Sequence, residues 1–148
     1  MDQKERQILV TIISTVVIIG WYVLHVYHKF IAGNPDILND YKFWGKSFLW
    51  LIPVAIAAQI VIHIIYAIIN KIVTNEDIPT KSDERDKLIE LKAIRVSHWI
   101  FTIGFICGMG TLAFGVQPYV MFIALFASGL AASIISELVK LYYYKRGM

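Results

Sequence analysis

Several polar side chains that could bind a ligand or form hydrogen bonds lie inside long apolar runs of this sequence. Gln59 lies near the middle of the charge-free run 47–70, and His63 follows one helical turn later on the same face. An amide and an imidazole in such a segment could bind a small molecule or ion, or could form a hydrogen bond between helices. His98 could reach the depth of His63 in an antiparallel helix, which would permit a bis-histidine haem, but no C-x-x-C-H motif is present. We predict an intramembrane polar site at Gln59, His63 and His98, and no cofactor.

A second candidate site is the charged segment 71–95, which holds six basic and six acidic residues. A polybasic lipid-binding patch would carry surplus positive charge, so the balanced charge favours a salt-bridged helix or a surface that recognises another protein. We predict that this segment docks a protein through charged side chains: Asp83, Glu84, Arg85, Asp86, Glu90, Lys92 and Arg95.

The rest of the sequence offers little to an enzyme. No nucleophile–base pair, phosphate-binding loop or metal-ligand set stands out. Cys107 is the only cysteine, which excludes an internal disulfide and any multi-cysteine metal site within one chain. The apolar runs carry no Asp, Glu, Lys or Arg, whereas proton-coupled exporters and ion pumps place a charge there. The sequence therefore predicts a non-enzymatic protein with no catalytic and no metal site.

Membrane-spanning helices must position these residues. Of 148 residues 57% are hydrophobic and 17% are charged, with a mean hydropathy of +0.61, which is too apolar for a soluble domain of this size. A helix needs about 20 residues to cross a bilayer, so the charge-free run 96–136 must fold back, and Gly115 and Pro118 mark the turn. We predict an all-α membrane protein that forms one domain, 1–148, with four spans at about 8–28, 48–69, 96–114 and 119–136.

The positive charges in the flanks predict the orientation. With both termini inside, the inner flanks carry 11 Lys and Arg residues and the outer flanks carry 3, as the positive-inside rule requires. We therefore expect a multi-pass protein of the cell (inner) membrane, with both termini and the loop 71–95 in the cytoplasm. The net charge of +3 is modest and no basic arm is present, so no direct contact with nucleic acid is expected.

Small residues at four-residue spacing predict how the third and fourth spans pack. Gly104 and Gly108 form a GxxxG pair on the third span. The fourth span repeats the spacing in several pairs: Gly129 with Ser133, Ala127 with Ala131, and Ser128 with Ala132. Such faces let two backbones approach closely, so we predict a tight antiparallel hairpin. The same faces could instead join two copies of the chain, as a homo-oligomer through Gly104, Gly108, Gly129 and Ser133.

A helix start is predicted shortly after Pro79. Ser82 or Asp83 can accept the first unpaired N–H groups, and the acidic residues that follow suit the positive end of the helix dipole. This helix would run through Arg95 into the third span and leave about three turns in the cytoplasm.

The residues Asp83-Glu84-Arg85-Asp86, followed by Leu88-Ile89, Lys92-Ala93 and Ser97, resemble the signature of a family of small prokaryotic four-span membrane proteins that is catalogued only as a domain of unknown function. The likeness covers the four-span layout, but its specific motif covers only 83–97. In such families the gene often neighbours a short helix-turn-helix regulator. The resemblance therefore implies a membrane partner for a transcription factor, and it implies no chemistry.

These observations predict an integral membrane protein whose charged cytoplasmic helix docks a protein partner, in a sensing or tethering role linked to a small transcription regulator. The alternative is a small-molecule or ion carrier, a channel or an immunity-type protein that handles a ligand through Gln59 and His63. The bilayer and a cytoplasmic protein are the expected partners.

Overall fold

A computed structural model describes residues 3–77 and 83–147 of the chain. This part contains four long helices: α1 Gln3–Val26, α2 Tyr41–Thr74, α3 Glu84–Ala113 and α4 Pro118–Arg146. A π turn at Tyr27–Ile31 continues α1, and a short 3-10 helix at Pro35–Asn39 leads into α2. All four long helices are long and apolar enough to cross a membrane. The prediction of an all-α chain with four helices of membrane-spanning length and hydropathy is confirmed.

The helices extend beyond the apolar runs, because charged flanking residues continue a helix until a cap ends it. The carboxylate of Asp40 accepts the N–H of Lys42 (3.0 Å) at the start of α2, and Asn75 ends this helix in a left-handed conformation with a φ of 60°. Asp83 caps α3, as the sequence predicts. Ser82, the other predicted cap, lies outside the described residues.

The turn between α3 and α4 lies where the sequence places it. Gly115 has a φ of +80°, a left-handed backbone conformation in which residues that carry a Cβ are strained. Pro118 is the first residue of α4, where the N–H that proline lacks would have no helical partner. The two helices then pack against each other along their length, which confirms the antiparallel hairpin.

Gly104 determines how closely α3 and α4 approach. A Cβ at position 104 would collide with the side chain of Ser128, so the two backbones are close at this level. One turn further, a Cβ at Gly108 would lie 3.6 Å from Leu125 and 3.7 Å from Met121, which are ordinary van der Waals distances. The glycine pair of α3 therefore lies in the contact with α4 of the same chain.

Of the predicted pairs of small residues on α4, the pair Ser128 and Ala132 lies against α3. Ser128 faces Gly104, and Ala132, one turn later, is buried. At Gly129 a Cβ would meet nothing within 4 Å, and Ser133 is exposed, so this pair lies away from the contact with α3. A homo-oligomer through the predicted residues stays a prediction.

The chain divides into two compact units, Met1–Ser82 with α1 and α2, and Asp83–Met148 with α3 and α4. The sequence analysis groups all four helices in one domain. In the first unit, Ile8, Ser14 and Ile18 are the buried residues of α1. Ile and Val side chains elsewhere on these helices are about half exposed, which suits contact with lipid.

Candidate functional site

The motif that begins with Asp83 forms a reciprocal cap at the start of α3. The carboxylate of Asp83 accepts the N–H of Asp86 (Oδ1···N 2.8 Å), and the carboxylate of Asp86 accepts the N–H of Asp83 (Oδ2···N 3.0 Å). The arrangement satisfies N–H groups that the helix start would leave unpaired, and it places negative charge at the positive end of the helix dipole. Both aspartates are thus part of the helix start.

Tyr144 joins the end of α4 to this helix start. Its hydroxyl donates to the second oxygen of Asp86 (Oδ1, 2.5 Å), and the guanidinium of Arg85 lies 5.4 Å from the centre of its ring. A nitrogen of Arg85 also donates to the carbonyl oxygen of Tyr144 (3.4 Å). Tyr144 lies beyond the predicted span 119–136, and burial, followed by the carboxylate of Asp86, raises its pKa well above 10. The hydroxyl therefore stays protonated and remains a donor.

The contact continues along the two helices towards the spans. Ile89 and Ala93 of α3 are completely buried, and the ammonium of Lys92 lies 4.7 Å from the ring centre of Tyr143. We call α3 residues 84–95 and α4 residues 137–146 the paired ends. Charged contacts at the tip and apolar packing further in hold them together.

The opposite face of α3 in the paired ends is exposed. Leu88 and Leu91 are 52% and 62% exposed, and Glu84, Glu90 and Arg95 are exposed around them. No ion pair involves these three charged residues in the part of the chain that the structure describes.

The seven predicted docking residues therefore fall into two groups. Glu84, Glu90 and Arg95 are exposed, whereas four others make contacts within the unit: Asp83, Arg85, Asp86 and Lys92.

The first unit contains a hydrogen-bonded polar cluster between α1 and α2. The hydroxyl of Ser14 lies within hydrogen-bonding distance of two acceptors, the side-chain oxygen of Gln59 (3.1 Å) and the carbonyl oxygen of Thr11 (3.0 Å). The amide nitrogen of Gln59 donates to the hydroxyl of Thr15 (3.0 Å). Ser14 is buried. Gln59 thus uses both ends of its amide to bridge the two helices.

His63 adds a second level to this cluster. Its Nε2 lies 3.4 Å from the hydroxyl of Thr11, which itself donates to the carbonyl oxygen of Gln7 (3.0 Å). Which of the two groups donates in this contact depends on the tautomer of the imidazole. A titratable ring therefore lies one turn from the Gln59 bridge.

Polar side chains continue from His63 to the ends of the helices. The hydroxyl of Tyr66 is buried and has no hydrogen-bond partner in the described chain. Asn70 is buried and donates to the carbonyl oxygen of Glu76 (3.1 Å), whose carboxylate accepts from the Gln3 amide (3.4 Å). We call the whole set the polar column: Gln3, Gln7, Thr11, Ser14 and Thr15 of α1 with Gln59, His63, Tyr66 and Asn70 of α2.

The sequence analysis identifies Gln59 and His63 but does not identify their partners on α1, nor Tyr66 and Asn70. The spacing of polar residues on α2, at 59, 63, 66 and 70, is the signal that could have found them. His98, the third residue of the predicted site, lies in the second unit with an exposed side chain. The described cluster consists of α1 and α2 residues alone.

A cleft of about 440 Å³ lies at the opposite end of the α1–α2 hairpin. Its walls combine aromatic rings with basic side chains, among them Trp21, His25, Lys29, Lys46 and Trp50. Aromatic and cationic residues of this kind are typical of the boundary between a membrane and water. The cleft therefore marks one end of the hairpin as an interfacial region.

Across residues 3–77 and 83–147, no group of three His, Cys, Asp or Glu side chains is placed to hold a metal ion. Comparison of the chain with protein-family models, with curated proteins and with solved structures finds no match.

Proposed function

We propose that this chain is a non-enzymatic, multi-pass protein of the cell membrane, with both termini in the cytoplasm, and that its paired ends bind a cytoplasmic protein. The four apolar helices support the placement of the chain in a membrane. The excess of Lys and Arg in the inner flanks, 11 against 3, supports the orientation with both termini in the cytoplasm. The aromatic cleft then lies at the outer boundary and the paired ends lie in the cytoplasm.

The observation that carries the proposal is the exposure of leucines on the outward face of the paired ends. Leu88 and Leu91 lie among Glu84, Glu90 and Arg95. These charges would be costly in the hydrocarbon core, so this surface faces water. Removing apolar side chains from water is favourable, and exposed apolar surfaces with a charged rim commonly bind proteins.

The occupant that fits this surface is an amphipathic helix of a cytoplasmic protein. A stripe of leucines flanked by charges of both signs matches a second helix with the same pattern, as in helix-to-helix recognition. Asp83, Arg85, Asp86 and Lys92 contribute indirectly, because they hold α3 against α4. A small transcription regulator, which the family resemblance implies, suits a tethering or sensing role of this surface.

Site-specific photo-cross-linking in living cells tests the proposal. A benzoylphenylalanine at position 91 should give one discrete protein adduct, whereas the same residue at Ile103, an exposed position within the apolar part of α3, should give none. Leu88→Ser should abolish the adduct at 91, and Ile123→Ser, at an exposed position of α4 outside the paired ends, should preserve it. The proposal fails if position 91 gives no adduct, or if Leu88→Ser leaves the adduct unchanged.

A second candidate function is the handling of a small molecule or ion by α1 and α2, which the bridge between Gln59, Ser14 and Thr15 favours. Polar groups are expensive inside a membrane and often line the path of an ion or ligand. Gln59→Leu should then abolish a transport or resistance phenotype that Leu88→Ser retains. Retention of the phenotype in Gln59→Leu would exclude this function.

A further inference from the structure

The polar column follows one face of each helix. On α2 its members are spaced by four, three and four residues, and on α1 the series Gln3, Gln7, Thr11 and Ser14 has steps of four, four and three. The contacts between Ser14 and Gln59, Thr11 and His63, and Gln3 and Glu76 show that the two series run antiparallel and in register.

We propose that the polar column is a water-accessible pathway that leads from the helix ends at Gln3 and Asn70 to a proton-accepting imidazole at His63, and that it stops at Gln59. The inference deepens the second candidate function and rests on the proposed topology, which places the open end in the cytoplasm. A proton from water would add to the lone pair of the imidazole and leave by the same route.

The chemistry of the column suits water and protons better than a metal ion. Hydroxyl, amide and imidazole groups both donate and accept hydrogen bonds, as water does. A hard metal ion would require carboxylates, and the runs 7–28 and 47–70 contain none. The described groups that face His63 are Thr11 on α1 and, one turn away on α2, Gln59 and Tyr66. None of these three is charged at neutral pH.

The unpaired hydroxyl of Tyr66 argues against a contact between α1 and α2 that excludes water. Buried polar groups are almost always hydrogen-bonded, and in lipid an unpaired hydroxyl is especially costly. The Tyr66 hydroxyl has no partner within the described residues, although it lies between His63 and Asn70 in the series. Water that reaches this level through the proposed pathway would supply the missing partner.

The column ends at Gln59 on one side and reaches the half-buried Gln3, at the start of α1, on the other. Beyond Gln59, Ile18 is buried on α1, and the next side-chain hydrogen bond that joins α1 to α2 within the described residues runs from the Tyr22 hydroxyl to the Ser47 carbonyl oxygen (2.6 Å). An apolar level therefore separates the column from the aromatic cleft. The arrangement favours binding and release of a proton on one side over continuous passage.

Cysteine accessibility in the otherwise cysteine-free Cys107→Ser protein tests the pathway. Charged methanethiosulfonate reagents modify hydrated thiolates, so Thr11→Cys and Ser14→Cys should react at least about tenfold faster than the matched lipid-facing variants Ile13→Cys and Val17→Cys. The reaction should occur in inverted membrane vesicles and not in right-side-out vesicles. Equal rates at positions 11, 13, 14 and 17 would overturn the pathway.

The side from which labelling occurs separates this inference from the proposed topology. Fast labelling of Thr11→Cys and Ser14→Cys only in right-side-out vesicles would support the pathway and refute the cytoplasmic placement of its open end. The role of His63 has its own measurement, the ¹⁵N shifts of histidine-labelled protein in nanodiscs, assigned with His63→Gln. We expect these shifts to respond to the pH of the medium on the cytoplasmic side. Shifts that do not respond to pH would overturn the role of His63 as a proton acceptor.

Discussion

The two helical hairpins of this protein hold their helices together in different ways. Ser14, Thr15 and Gln59 join α1 to α2 by hydrogen bonds, whereas α3 and α4 meet through a close backbone approach at Gly104. Lipid tails are as apolar as leucine, so helices in a membrane need either polar bonds or tight packing to associate. The hairpin of α1 and α2, the polar hairpin, therefore offers donors and acceptors to a ligand, whereas the hairpin of α3 and α4, the glycine hairpin, is suited to rigid support.

We expect the free energy of unfolding to fall most when a methyl group is added at Gly104, where α3 and α4 are close. Gly104→Ala would push a methyl group into Ser128, and overpacking of this kind costs about 1–3 kcal/mol. Reversible unfolding in mixed detergent micelles would measure the loss.

The surface glycine of α4 provides the control for this experiment. Gly129→Ala has open space around its new methyl group and should not lower the free energy of unfolding, because alanine is the better helix former. The double variant Gly104→Ala, Ser128→Gly should recover most of the lost stability. If Gly104→Ala and Gly129→Ala behave alike, the hairpin does not depend on this approach.

The next effect concerns the paired ends. Tyr144→Phe removes the donor to the Asp86 carboxylate, and a part-buried hydrogen bond to a charged group contributes about 1.5 kcal/mol, the lower end of the usual range. We expect faster hydrogen exchange of the amides at 84–90, because the start of α3 would separate from α4 more often. Tyr143→Phe keeps the ring that packs on Lys92 and should not change the exchange. Equal protection in the two variants would show that the Tyr144 bond is dispensable.

A smaller effect is expected in the polar hairpin. Gln59→Leu should cost about 0.6–2 kcal/mol, because the bonds to Ser14 and Thr15 are lost while an apolar side chain is tolerated by lipid. A double-mutant cycle with Ser14→Ala should show that the two effects are not additive. Ile60→Leu, at an exposed neighbouring position, serves as the control. Additive effects would mean that hydrogen bonds do not join these helices.

The smallest effect is expected at Gly108, and it tests how far along α3 the close contact with α4 extends. Gly108→Ala would place its methyl group at ordinary distances from Leu125 and Met121, so stability should change by less than about 0.5 kcal/mol. A large loss would show that the close approach extends over the whole glycine pair instead of being confined to Gly104.

Much of the local structure could be predicted because it depends on neighbours in the chain. Apolar runs of sufficient length define the helices, Gly115 and Pro118 define the turn, and Asp83 defines a helix start. The contact between Tyr144 and Asp86 could not be predicted, because 58 residues separate its partners. The sequence of the charged motif at 83–86 therefore predicts a docking surface, although three of its four residues make contacts within the unit.

The length and hydropathy of its apolar runs are enough to predict that this chain forms helices long enough to cross a membrane. The polar residues at 59 and 63 and the small residues at 104 and 108 can also be read from the sequence. The contacts of Gln59 with Ser14 and of Gly104 with Ser128 became known from the packing of the helices. Several faces of each helix carry suitable side chains, and the rotation and register of packed helices select which of them meet.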